Sequence, residues 1–421
     1  MARPHPAATR LRPYLHAVVL GAAIGLFSML FLRAISALKR LFFLTIPDQL
    51  SIGLSTWIII VCTAGGVVVG LLNRAMALDR TANVGFDGAV ATSQAEGSEA
   101  GSGESPRLFF QRVALGISSL GFGGALGPEA PLIEYVSTLG ARVGRILKIA
   151  RDESVQLSVA AALGGLFATP LAASASLDVD GEGAVTPSRA VRLGPGLVAA
   201  FTGLLVVRHL APSGSFHPFE AAPGDTAAGI GTGLVWAGIV AIPAALLIRL
   251  TLSALPVARS VVTRRVPGGP VAHGVLGGLV LGIAGAITPL VLFSGHHETQ
   301  NLLDEAGGRS AASLLGLAAL KVLLLVVLLA CGYFGGQIFP VGFAGAALAL
   351  ALGQALDVSS TITLVAAGFT AGAAVGVRRP VFTLLLLILF FPTDAWPAMT
   401  LATGAAAIVL AWWPAPPPQH H

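Results

Sequence analysis

Apolar segments of about twenty residues recur along the whole chain, and this repetition limits the possible folds more than any other feature. The first two lie near residues 14–38 and 52–74, and basic residues follow each of them. Charged residues make up 11% of the chain, against about 25% in soluble domains. The pattern predicts an all-α polytopic membrane protein with on the order of a dozen helices.

The net charge of +5 comes from basic residues dispersed at the ends of apolar segments. This distribution is typical of loops that orient membrane helices, so no nucleic-acid partner is expected. Arg3, Arg10 and Arg12 precede the first apolar segment without a convincing cleavage site. We therefore expect an uncleaved first helix in the cell membrane, with a cytoplasmic N-terminus.

Residues 121–134 interrupt this apolar pattern with glycines, two prolines and an acid, Glu129. In a bilayer, main-chain groups left unpaired by such a break must be satisfied by protein or water. An ionisable residue at membrane depth indicates a functional site. We expect helices over 108–126 and 130–147, with an anion path between them that is gated by Glu129.

The same order of features occurs again in the second half. A second Gly/Pro break spans 332–340, and the small-residue and proline junction at 164–171 has a counterpart at 371–381. Paired broken helices in corresponding positions point to a site between two repeats near the bilayer midplane. We expect one transmembrane domain, with a first repeat over about 14–211 and a second over about 226–412.

Four motifs in this order resemble those of the CLC family of chloride channels and proton–chloride antiporters. Gly127-Pro-Glu-Ala-Pro131 is similar to the element that carries the family's gating glutamate, and Gly335-Gly-Gln-Ile-Phe-Pro340 is similar to its anion-coordinating element. Ala168-Thr-Pro-Leu-Ala172 and Pro380-Val-Phe-Thr383 resemble two further family stretches. The likeness extends from about residue 14 to residue 412.

The resemblance implies a CLC-like inverted repeat, a homodimer in the lipid bilayer, and transport of chloride or another small anion. The chain is then neither an enzyme nor a protein that needs a cofactor, and no cytoplasmic regulatory domain is expected. Glu129 is the implied gate, and its protonation would couple anion movement to proton movement. Main-chain amides would bind the anion at Gly127, Pro128, Glu129, Gly336, Ile338 and Phe339.

The chain also departs from the family pattern. Val84, in Asn83-Val-Gly-Phe-Asp87, stands where the family has a serine that contacts the anion. We also expect no counterpart of the family's last helix, which carries an anion-contacting tyrosine, since the tyrosines of this sequence lie only at positions 14, 135 and 333. These departures leave open whether the anion is chloride or fluoride, and whether transport is proton-coupled exchange or passive conduction.

Several polar residues allow two interpretations. Counting from Pro170, Asp180 matches the position of the family's internal proton acceptor, and Asp178 lies beside it, although both also suit a solvated loop. Glu134 fits a polar contact within the bundle better than a second gate. His296-His297-Glu298 lacks the spacing of a metal site, so a polar loop is expected. Lys321 lies inside an apolar helix, where it could snorkel, pair with an acid or make the pore positive.

Two other classes of protein were considered. An intramembrane enzyme would need a nucleophile or a metal-bound histidine beside a base, and no such pairing is evident in the sequence. A scaffolding membrane protein would explain the hydrophobicity but not the paired Gly/Pro breaks. For the homodimer we expect contacts along 164–173 and 380–410, where small residues permit close helix approach.

Overall fold

The fold is seen in a computed structural model, which describes residues 6–47, 53–76, 105–175, 187–210, 218–221, 230–358 and 360–413. Seven helices belong to the first half of these residues: α1 Pro6–Arg40, α2 Leu54–Met76, α3 Pro106–Gly121, α4 Glu129–Leu147, α5 Arg151–Phe167, α6 Pro170–Ala175 and α7 Pro187–Leu210. Eight belong to the second half: α8 Ile230–Arg265, α9 Gly269–Ile287, α10 His296–Glu305, α11 Ala311–Ala330, α12 Ile338–Ala355, α13 Thr361–Val377, α14 Pro380–Leu387 and α15 Trp396–Trp412.

Within these ranges, eight helical segments are long and apolar enough to cross a membrane. They belong to α1, α2, α7, α8, α9, α11, α12 and α15. The other α-helices, α3 to α6, α10, α13 and α14, lie between them in the chain. The expectation of a polytopic, all-helical membrane protein is confirmed.

Backbone turns recur in the same order in both halves. A glycine with positive φ precedes each central break, at Gly123 (φ +94°) and Gly332 (φ +85°). Left-handed residues follow the next two helices in each half: Lys148 and Ala168 in the first, Asp357 and Arg378 in the second. Helix packing repeats too, since α1 packs on α7 as α8 packs on α15. The two halves are structural repeats.

The halves are joined where α2 of the first packs against α9 of the second. A Cβ atom on Gly66 would overlap the carbonyl oxygen of Gly274, and a Cβ on Gly274 would overlap that of Gly66. Only glycine permits this approach, which brings two backbones into van der Waals contact. The contact fixes one repeat against the other and thereby aligns their central breaks.

Two helix boundaries differ from those expected. The helix predicted over 108–126 ends at Gly121, because Gly123 turns into the left-handed region and stops the α-helical ladder. The apolar stretch predicted as one segment over 154–173 is two helices. Ala168 adopts a left-handed conformation at the end of α5, and Pro170 begins α6 because proline suits a first helical position.

Candidate functional site

The two central breaks meet through a pair of main-chain hydrogen bonds. The N–H of Gly127 donates to the carbonyl of Gly336 at 2.8 Å, and the N–H of Gly336 donates back at 2.6 Å. The chain then enters a helix on each side, α4 at Glu129 and α12 at Ile338. The N-termini of two helices therefore lie side by side, and both carry partial positive charge.

Glu129 is the first residue of α4, and its side chain is completely buried. Its Oε1 atom accepts a hydrogen bond of 2.7 Å from the main-chain N–H of Ile338, in the opposite repeat. Its Oε2 atom has no hydrogen-bond partner among the described residues. A Cβ atom at Gly127 or Gly336 would overlap the carboxyl group, so both glycines make room for it.

Three of the predicted anion-binding amides are not free to bind an anion. The N–H groups of Gly127 and Gly336 donate to each other's carbonyls. Pro128 has no N–H group at all, so its assignment as an amide donor was wrong. The predicted donors that remain are Glu129 and Phe339, together with Ile338, whose N–H group is occupied by the Glu129 carboxyl. Amides in a first helical turn lack intrahelical acceptors and can bind an anion.

A cavity of about 390 Å³ reaches this junction. We call it the vestibule. Leu126, Pro128 and Phe339, at the two breaks, form part of its wall. Its volume is enough for on the order of ten water molecules. Most of the remaining wall is apolar, but it also includes five basic and imidazole side chains: Arg33, Lys39, Arg40, His296 and His297.

Aromatic rings form the wall beside the second break. The ring of Phe339 stacks on Phe167 with centroids 5.6 Å apart and planes 8° apart. The ring of His296 lies 5.2 Å from that of Phe339 and 5.2 Å from that of Phe390. The aromatic cluster holds Phe339 in place, so the first turn of α12 is fixed next to the carboxyl of Glu129.

The histidine pair does not lie in a loop, contrary to expectation. His296 begins α10, because the Oε2 atom of Glu298 accepts a hydrogen bond of 3.0 Å from the N–H of Gly295 and caps the helix. Within the part of the chain that the structure describes, no group of three His, Cys, Asp or Glu side chains is placed to hold a metal. Glu134 pairs with Arg112 at 3.6 Å, which makes it a bundle contact.

Lys321 is fully buried and satisfies three consecutive carbonyls that precede α10. Its Nζ atom lies 3.0 Å from the oxygen of Val291, 3.3 Å from that of Leu292 and 2.8 Å from that of Phe293. Of the roles left open by the sequence, snorkelling is therefore excluded. Three acceptors require three N–H donors, which only the ammonium form of lysine supplies.

The sequence did not identify the ion pair between Lys39 and Glu298, whose atoms Nζ and Oε1 lie 3.1 Å apart. The only signal was a basic residue at the end of an apolar segment, which is common in membrane proteins. The contact between Gly127 and Gly336 corresponds to a clearer sequence pattern, because a proline follows each of these glycines four positions later. Asp178, Asp180 and Val84 lie outside the described residues.

Comparisons with known proteins identify the family and the fold of the chain. A family profile described as "Voltage gated chloride channel" (CLC) matches residues 65–411. The "Putative ion-transport protein YfeO" of an Escherichia coli strain is 30% identical over 408 residues, which cover 94% of this chain and 89% of YfeO. YfeO of Shigella flexneri is 31% identical over the same shares of both chains.

Solved structures show the same fold. A slow cyanobacterial Cl⁻/H⁺ antiporter superposes with a TM-score of 0.77 at 19% identity, covering 98% of this chain and 96% of its own. A CLC-type fluoride/proton antiporter superposes with a TM-score of 0.72 at 19% identity, covering 94% of each chain. The inverted-repeat architecture is thus confirmed, and the expectation that the chain is a transport protein rather than an enzyme holds as well. This chain belongs to the CLC family of anion transport proteins.

Proposed function

We propose that this protein moves chloride across the cell membrane, with Glu129 as its gate and with anion movement coupled to protons. The observation that carries this proposal is the buried carboxyl of Glu129, which accepts a hydrogen bond from the first amide of α12 at the junction of the two repeats. It lies where two helix N-termini would otherwise be open to an anion.

A carboxylate and a chloride ion compete for the same donors, because both are anions attracted to a positive helix end. With the carboxylate in place, the Ile338 amide is occupied. Protonation removes the charge of Glu129 and weakens its hold on that amide. The neutral side chain then leaves, and the anion takes its place. Flux should therefore increase as the pH falls.

The unpartnered oxygen of Glu129 supports a titrating role. A buried carboxylate oxygen without a donor is unfavourable by about 1–3 kcal/mol or more. The cost is reduced when the group is protonated or when it moves to water. The Glu129 carboxyl can therefore change between a charged state bound to the Ile338 amide and a protonated or displaced state. Such a change suits a gate more than a structural contact. Proton coupling follows if each protonation event precedes one anion movement.

The vestibule supplies access to the gate on one side of the membrane. It contains the end of α1, so with a cytoplasmic N-terminus it faces the outside of the cell. For the proton pathway we keep the residues that the family resemblance implies, Asp180 and Asp178, which lie outside the described residues. A homodimer in which each subunit has its own pore completes the proposal, with contacts along α6, α14 and α15.

Glu129→Gln tests the gate, because glutamine keeps the volume but removes charge and titration. Purified protein is reconstituted in liposomes, and a chloride electrode and a pH electrode record both fluxes. Wild type should move chloride faster at low pH and move protons with it. The variant should lose most of the pH dependence and all coupled proton movement. Glu305→Gln, a surface acid paired with Arg309, is the matched control.

Other outcomes of the same assay would indicate one of the alternative functions. Faster chloride flux with no proton flux in either protein would indicate a passive channel. Fluoride flux that exceeds chloride flux in the same assay would assign the protein to fluoride. If Glu129→Gln and wild type have identical fluxes at every pH, Glu129 is not the gate.

A further inference from the structure

The charged side chains that line the vestibule are all of one sign. Among the described residues that line it, three are cationic and none is acidic. Arg33, Lys39 and Arg40 come from the last two turns of α1, and His296 and His297 come from the first turn of α10. The wall of a cavity that reaches the two breaks thus carries positive charge.

Lys39 is held in place on this wall, unlike most lysines at helix ends. Its Nζ atom lies 3.1 Å from Oε1 of Glu298 and 4.0 Å from the centroid of the Phe293 ring. The side chain of Lys39 remains 34% exposed, whereas that of Glu298 is 8% exposed. The ammonium group therefore faces the cavity while its carboxylate partner lies behind it.

Glu298 is shared between two cations. It interacts electrostatically with Lys39 on the cavity side and with Lys321 on the buried side. On the buried side, the Nζ atom of Lys321 also donates to the carbonyls of residues 291–293. On the cavity side, Arg33, Lys39 and Arg40 carry three positive charges, against the one negative charge of Glu298. Lys39 thus keeps part of its attraction for an anion despite its ion pair.

We propose that the vestibule is a capture site for hydrated monovalent anions, and that Lys39, positioned by Glu298, binds the anion before it reaches Glu129. This inference rests on the proposed transport function and extends it to a second site. A charged wall around a narrow cavity raises the local concentration of counter-ions and speeds their association. Removing the Lys39 charge should therefore weaken anion capture without changing the gate.

The first test measures initial chloride flux against chloride concentration in liposomes. Lys39→Met should raise the apparent KM for chloride about fivefold, the effect of one partly screened charge at close range. The maximal rate should stay unchanged, and Lys39→Arg should behave as wild type. Added impermeant salt should reduce the difference, because it screens the charge. Arg12→Met removes a cation from the other end of α1 and is the matched control.

A second test distinguishes an effect of the charge at position 39 from an effect of the substitution on folding. Lys39→Cys is purified, reconstituted and then modified with a methanethiosulfonate that carries either trimethylammonium or sulfonate. The protein is folded before its charge changes, and the native Cys62 and Cys331 are buried and should not react. The cationic reagent should give a lower KM than the anionic one.

Each outcome supports or overturns the capture site. Equal KM values with both reagents, or a Lys39→Met variant that matches Arg12→Met, would overturn it while leaving transport intact. A wild type that moves none of the tested anions would overturn the transport proposal itself, and the capture site with it.

Discussion

Glycine at position 336 is required by the side chain of Glu129 more than by its own backbone angles. A methyl group at this position would overlap the Glu129 carboxyl group. The N–H of Gly336 is also bonded to Gly127 in the opposite repeat. One residue therefore joins the repeats and leaves space for the Glu129 carboxyl.

Gly336→Ala should displace the Glu129 carboxyl without changing any charge. Chloride flux at neutral pH should increase about tenfold and lose pH dependence, because a hydrogen bond to a charged group contributes about 1.5–3 kcal/mol. The flux assay described for Glu129→Gln measures this. Gly316→Ala is the control, since a Cβ there meets nothing within 4 Å. A Gly336→Ala variant that keeps the pH dependence of wild type would show that the carboxyl has room elsewhere.

At the scale of elements, the start of α10 depends on charges from two other helices. Lys321 on α11 binds the carbonyls of residues 291–293, which lead into α10. Glu298 caps α10 and pairs with Lys39 on α1. Phe293 has a positive φ of 58°, which is unfavourable for an aromatic residue. Its N–H donates to the carbonyl of Gly123, next to the first break. These contacts fix the vestibule wall.

Lys321→Met should destabilise the protein by about 3–5 kcal/mol, because it leaves three buried carbonyls without their donor and removes one of the two cations near the buried Glu298 carboxylate. Thermal unfolding in detergent, followed by circular dichroism, measures the loss. Lys148→Met, at an exposed helix end, should change stability by less than about 0.5 kcal/mol. The double variant Lys321→Met/Glu298→Gln should recover part of the loss. Additive effects of the two changes would mean that these residues are not coupled.

At the scale of the whole molecule, the predicted dimer face is only partly available. Gly164 and Phe167 are buried within the subunit, where Gly164 packs against the backbone of Ala200 on α7. Leu171 on α6 and Val381 and Leu385 on α14 are exposed. The face that a second copy could contact is therefore the outer surface of α6 and α14 rather than the small residues of 164–167.

Leu385→Trp should weaken the proposed dimer by about tenfold in Kd, since an overpacked interface loses roughly 1–3 kcal/mol. Light scattering of the protein in detergent, over a range of concentrations, gives the mass. Leu323→Trp, on an exposed face of α11, is the control and should leave the mass unchanged. Two variants with the same mass as wild type would place the interface elsewhere.

The sequence by itself was sufficient for the class of fold, the two breaks and the buried acid. These follow from local chemistry: apolar segments must span a bilayer, Gly and Pro interrupt helices, and a carboxyl at membrane depth is unfavourable unless it has a function. The repeat was visible for the same reason, because its landmarks are glycines and prolines whose backbone preferences act locally.

Only the tertiary structure decided which amides are free and which charges meet. Gly127 and Gly336 lie 209 positions apart in the chain, and the sequence does not state that their N–H groups bind each other. Likewise, Lys39 and Glu298 come from different repeats, and Lys321 finds its carbonyls about 30 residues away. Such contacts depend on the relative placement of whole helices, which the packing of α2 on α9 sets. A local sequence pattern does not determine that placement.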